Sequence, residues 1–169
     1  MNLTTRPREG LKNYLYEIAV KMIDTQFRSS QKKLPCQVLS DSQACEIIDS
    51  LQRYSKQHFS IFLKTEQLNY GASQKIVSLM LKYLWCLDLI EEPPICPLDR
   101  HILSKITKEI SCEDSELREI KGFKNWTQIE NKEIYIKIIN SAKISFGDQI
   151  AKWELENWEG NTPIKSNVE

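Results

Sequence analysis

The sequence predicts an all-α fold, a single compact multi-helix domain over residues 1–158 with a flexible tail over 159–169. Three observations predict it. Apolar residues recur at spacings of three and four along most of the chain. No stretch has the look of a strand with a partner to pair with. Prolines at 35, 93 and 94 cut the periodic segments into lengths suited to packed helices. At 169 residues, the chain can bury a sizeable core without metals or disulfides.

Residues 1–8 read as a short arm. A helix is expected from Glu9 to about Arg28, with Leu11, Tyr14, Leu15, Ile18, Met22 and Ile23 on one stripe. The polar run Ser29–Pro35 connects it to a second helix. Ser40 or Asp41 would cap that helix, and Ala44, Ile47, Ile48, Leu51 and Tyr54 would be its buried face. Phe59, Ile61 and Phe62 suggest a short helix. The densest apolar run follows, from Ala72 or Ser73 to about Leu87. It is apolar nearly all round and so belongs in the middle of the domain. The Glu91-Glu92-Pro93-Pro94 run cannot stay helical. Asp99 is a natural N-cap for a helix of about ten residues.

The charged stretch 111–125 suggests a short helix stopped by Gly122. Thr127 and Glu130 resemble a capping box ahead of an isoleucine-rich helix. A last helix is expected from about Phe146 to Trp158.

Composition excludes some classes. No run of about 18 apolar residues exists, so no membrane span is expected. The first ten residues lack the apolar core of a signal peptide, which makes a cytoplasmic protein the expectation. Five cysteines, an odd number with no CxxC pair, read as reduced and mostly buried thiols. A zinc set of Cys86, Cys96, His101 and Cys112 matches no established spacing, so neither metal nor cofactor is expected. Net charge is zero but uneven. Residues 1–108 carry 15 Lys+Arg against 11 Asp+Glu, and residues 109–169 carry 8 against 12. A basic front would let one face meet an anion such as nucleic acid.

The chemistry-bearing spacing is Gly71-x-x-x-Lys75 followed by Pro97-Leu98-Asp99. The helix between them is roughly 24 Å long at about 1.5 Å per residue. The connection over 88–98 could span about 35 Å extended, so it can return Asp99 to Lys75. Each residue would then sit at a helix N-terminus, where free N–H groups and a positive potential favour an anion and disfavour an ammonium. A lysine deprotonated in this way is a Schiff-base nucleophile.

Gly-x-x-x-Lys at a helix start, Leu81 six residues on, and Pro-Leu-Asp opening the next helix together resemble the helix-hairpin-helix DNA glycosylases. The resemblance covers about 38 residues, within 60–110, and two of the hairpin's usual glycine positions are Tyr70 and Ser73. It implies an all-helical base-excision enzyme with Lys75 attacking the sugar and Asp99 supporting that step. It also implies DNA contacts from Gly71, Ser73, Gln74, Arg100 and His101. Tyr83, Trp85, Trp126, Trp153 and Trp158 could stack on an extruded base, although aromatics at helical spacing are more often core. The alternative is a non-catalytic helical module that binds a protein partner, for instance in bacterial defence or regulation. The acidic final third favours that alternative.

Overall fold

The computed structural model describes residues 7–31, 38–109, 118 and 120–158. It is all-α, with no strand among the described residues. Helices α1 (Pro7–Gln31), α2 (Asp41–Phe59), α3 (Tyr70–Cys86), α4 (Arg100–Glu109), α5 (Lys132–Phe146) and α6 (Ile150–Asn157) are joined in part by single 3-10 turns at Ser60–Phe62 and Trp126–Gln128. Arg118, Ile120 and Lys121 also have helical backbone. The expected tail, the first six residues of the arm, residues 32–37 at the expected connector, and residues 111–117 and 119 of the charged stretch lie outside the described residues.

Helix ends follow local chemistry more than apolar spacing. Pro7, inside the expected arm, already has helical backbone, which its fixed φ allows. Ser40 caps α2 in a capping box whose partner, the third helical residue, is Gln43. α3 starts two residues before the expected Ala72, since Asn69 Oδ1 accepts from the Ala72 N–H at 2.8 Å.

At its other end α3 closes in a Schellman motif. The Leu89 N–H reaches Leu84 O and the Asp88 N–H reaches Trp85 O, both at 2.9 Å. Asp88 holds the left-handed position at φ 55°, where a glycine is usual.

The Thr127–Glu130 box does not form. Asn131 caps α5 instead, its Oδ1 accepting from the Ile134 N–H at 2.9 Å. The last helix starts at Ile150, not Phe146, because Gly147 at φ 92° ends α5 first. Phe146 then stacks on Trp153 at 4.0 Å between ring centroids.

α3 is the central helix, in contact with α1, α2 and the 126–128 turn, while α5 packs on α4 and α6. It differs from the expected apolar cylinder. Its buried positions include Ser73, Gln74, Ser78 and Lys82, and each has a hydrogen-bond partner. Tyr83, by contrast, is largely exposed.

The Pro-rich connection does not run over the surface. Ile90, Pro93, Ile95, Cys96, Pro97 and Leu98 are buried. A buried loop normally leaves backbone polar groups unpaired. Here the prolines contribute no N–H, and Gln74 satisfies both backbone groups of Leu98. Its Oε1 accepts from the Leu98 N–H at 3.2 Å and its Nε2 donates to Leu98 O at 3.1 Å.

Glu92 does a second job in this segment. Its Oε1 accepts from the Lys152 N–H at 3.0 Å, placing a negative charge at the α6 N-terminus, where Gln149 offers no side-chain cap.

Candidate functional site

The Gln74 clamp places Pro97-Leu98-Asp99 against the first turns of α3. Lys75, Leu79, Lys82, Tyr83 and Cys86 form one stripe along α3. With Pro97 and Asp99 from the connection and Glu154, Leu155 and Trp158 from the end of α6, they line a cleft of about 470 Å³. Lys75 and Asp99, 24 residues apart in sequence, therefore border one cavity. Its size falls in the usual range for small-ligand sites.

Asp99 has both carboxylate oxygens engaged. Oδ1 accepts from the N–H groups of His101 and Ile102, at 2.8 and 2.9 Å, and so caps α4. Oδ2 accepts from the Trp158 indole N–H at 3.3 Å. Among the described residues Lys75 makes no ion pair with Asp99. Its ammonium lies over the Trp126 ring, 5.3 Å from the centroid.

The floor of the cleft is a buried ion pair. Lys82 Nζ and Glu154 Oε2 are 2.6 Å apart, with side chains only 10% and 2% exposed. The Lys82 ammonium also lies 5.6 Å from the Trp158 ring centroid. Burial pushes the Glu154 carboxyl above its ordinary range. The hydrogen bond and charge of Lys82 pull the other way, and Asp99 adds to the rise. Cys96 is fully buried, and its thiol is pushed well up by that burial, so it is inert.

Several expected contact residues are placed inward. Gly71, Ser73 and Gln74 are buried, so these residues are closed to a phosphate. A Cβ on Gly71 would come within 1.9 Å of Trp126 O. This glycine is therefore required by the approach of the 126–128 turn. The free amides expected at the α3 N-terminus are also occupied. The N–H groups of Gly71, Ala72 and Ser73 go to Ile129 O, Asn69 Oδ1 and Asn69 O. Arg100 and His101 do lie on the surface, in the first turn of α4. The cleft is not basic, because its two lysines face two carboxylates.

Among the other aromatics, Tyr83 and Trp158 line the cleft and Trp126 meets Lys75, while Trp85 and Trp153 pack against the core. Cys86 and His101 are exposed and Cys96 is buried, and no metal-binding cluster occurs among the described residues. Among them, too, no helix is long and apolar enough to cross a membrane.

Sequence reasoning missed Lys82 and Glu154. Lys82 had a signal, being seven residues from Lys75 and hence on the same helix face. Glu154 had none, since it arrives from a helix 72 residues away. Comparison with known proteins finds no matching family model, curated protein or solved structure.

Proposed function

We propose that this cleft is the working site and that the protein acts on DNA in the manner of a base-excision glycosylase/lyase. Lys75 is the Schiff-base nucleophile and Asp99 the supporting carboxylate. The observation that carries this reading is that Lys75 and Asp99 border one cleft large enough for an extruded nucleoside, with Tyr83 on its wall.

In this reading Lys75, after giving up its proton, attacks C1′ of the sugar. The bond from C1′ to the base breaks, and the base leaves with the electron pair and takes up a proton. The C1′–O4′ bond then breaks, O4′ keeping the electron pair and taking a proton from the attached nitrogen, and the cationic iminium left at C1′ is stabilised electrostatically by Asp99. Loss of a C2′ proton then expels the 3′ phosphate. In this reading Arg100 and His101, exposed in the first turn of α4, meet the DNA backbone.

The test is borohydride trapping on DNA carrying an abasic or damaged site, since reduction of the iminium leaves a permanent cross-link. Wild type should trap and Lys75→Ala should not. Absence of both trapping and DNA binding at low salt refutes the reading.

A second reading has its own observations. The α3 N-terminal amides are internally bonded, the cleft is charge-balanced, and Tyr83, Leu155 and Trp158 expose apolar surface at its rim. These features fit a non-catalytic helical module that receives a protein partner. A wild-type protein that neither traps nor binds DNA would favour it.

A further inference from the structure

We propose that the cleft recognises a planar heteroaromatic ring bearing an N–H donor, of the nucleobase class, and that the Trp158 indole occupies the ring's place in the free protein. The proposal deepens the reading of this cleft as the working site and rests on it, but it does not need the lyase chemistry.

The contacts of Trp158 define the chemistry. Its N–H meets Asp99 Oδ2 at 3.3 Å, and its ring faces the Lys82 ammonium at 5.6 Å. An acceptor at the ring edge and a cation toward the ring face are what an N–H-bearing heteroaromatic requires. Asp99 Oδ1 is committed to the α4 cap, so Oδ2 is the oxygen free to change partner.

Trp158 can be displaced. It follows the last residue of α6, is 51% exposed, and its bond to Asp99 is longer than the usual charge-assisted bond.

The site behind it is built. Lys82 and Glu154 are 8% and 1% exposed, and each holds the other in place at the floor. Leu79, Pro97 and Leu155 supply apolar wall surface beside these contacts.

The experiment is calorimetric titration of wild type, Trp158→Ala and Trp158→Ala/Asp99→Asn. The probes are adenine and an isosteric pair, benzimidazole with a ring N–H and benzoxazole with a ring oxygen. Asparagine keeps the capping oxygen but turns the Oδ2 position from acceptor to donor. Trp158→Ala should bind adenine and benzimidazole about tenfold or more tightly than wild type. It should reject benzoxazole about tenfold relative to benzimidazole, as expected for a lost bond to a charged acceptor. The Asp99→Asn change should abolish that preference.

Equal binding of the isosteres, or no binding of any probe to folded Trp158→Ala, overturns the proposal. If that variant does not fold, wild type decides. Its Trp158 indole N–H resonance, assigned by its loss in Trp158→Phe, must move on saturation with adenine, and an unmoved resonance overturns the proposal. An abasic site carries no base, so trapping is independent. Trapping without adenine binding removes this inference alone, and adenine binding without trapping removes the lyase alone.

Discussion

Lys82→Met tests the floor of the cleft. It removes the only ion-pair partner seen for Glu154 among the described residues and leaves a carboxylate with 2% of its side chain exposed. Removing one member of a buried pair costs about 3–5 kcal/mol, because the remaining charge is desolvated and uncompensated. For a domain of this size each kcal/mol moves the melting temperature by about 2–4 °C, so a fall of roughly 6–20 °C is expected at neutral pH.

The double change Lys82→Met/Glu154→Leu removes both charges and should lie near or above wild type. The pH dependence has a definite sign. Glu154 holds its proton more tightly folded than unfolded, since burial raises its pKa. Its contribution is therefore fully favourable below the ordinary carboxylate range and is lost as pH rises through the raised folded value. Without Lys82 that value rises further, so the Lys82→Met penalty should shrink on acidification. Urea denaturation followed by circular dichroism at neutral and mildly acidic pH measures this. A Lys82→Met loss under about 1 kcal/mol, or one equal at both pH values, refutes the buried-pair account.

Other predictions concern how the cleft is held. Gly71→Ala drives a Cβ into Trp126 O, so the 126–128 turn must move. A cost of about 1–3 kcal/mol or more is expected in a urea melt, with altered Trp126 fluorescence. Gln74→Leu strands the N–H and C=O of Leu98. The expected loss is about 2–4 kcal/mol, with faster amide exchange at Leu98, and an unchanged exchange rate would discard the clamp. Asp99→Ala should lower stability by about 1 kcal/mol through the lost α4 cap, whereas Asp99→Asn, an equally good cap, should stay within a few tenths of wild type.

Legibility followed sequence distance. Apolar periodicity located α1 to α4, and it placed Asp99 as the cap of α4, because these features depend on neighbours three or four residues away. It failed where polar side chains made the decision. Asn69, Asn131 and Gly147 moved helix ends by the bonds and dihedrals they provide. The Gly-x-x-x-Lys spacing drew attention to Lys75, which borders the cleft. It misled on Gly71, Ser73 and Gln74, whose position at a helix start gave no hint that the 126–128 turn and the Pro-rich connection would cover them.

By itself, then, the sequence determined an all-α domain built around α3, with a long connection able to return Asp99 toward Lys75. Its periodicities and turn residues encode local backbone preferences, and those suffice to set elements and order. Only the tertiary structure decided that the connection is buried, that Gln74 fastens it, and that Lys82 pairs with Glu154 beneath Trp158. Those facts depend on desolvation. Burying Lys82, Glu154 and the Leu98 backbone is tolerable only where a partner from a distant segment arrives at bonding distance, and no local pattern records that arrival.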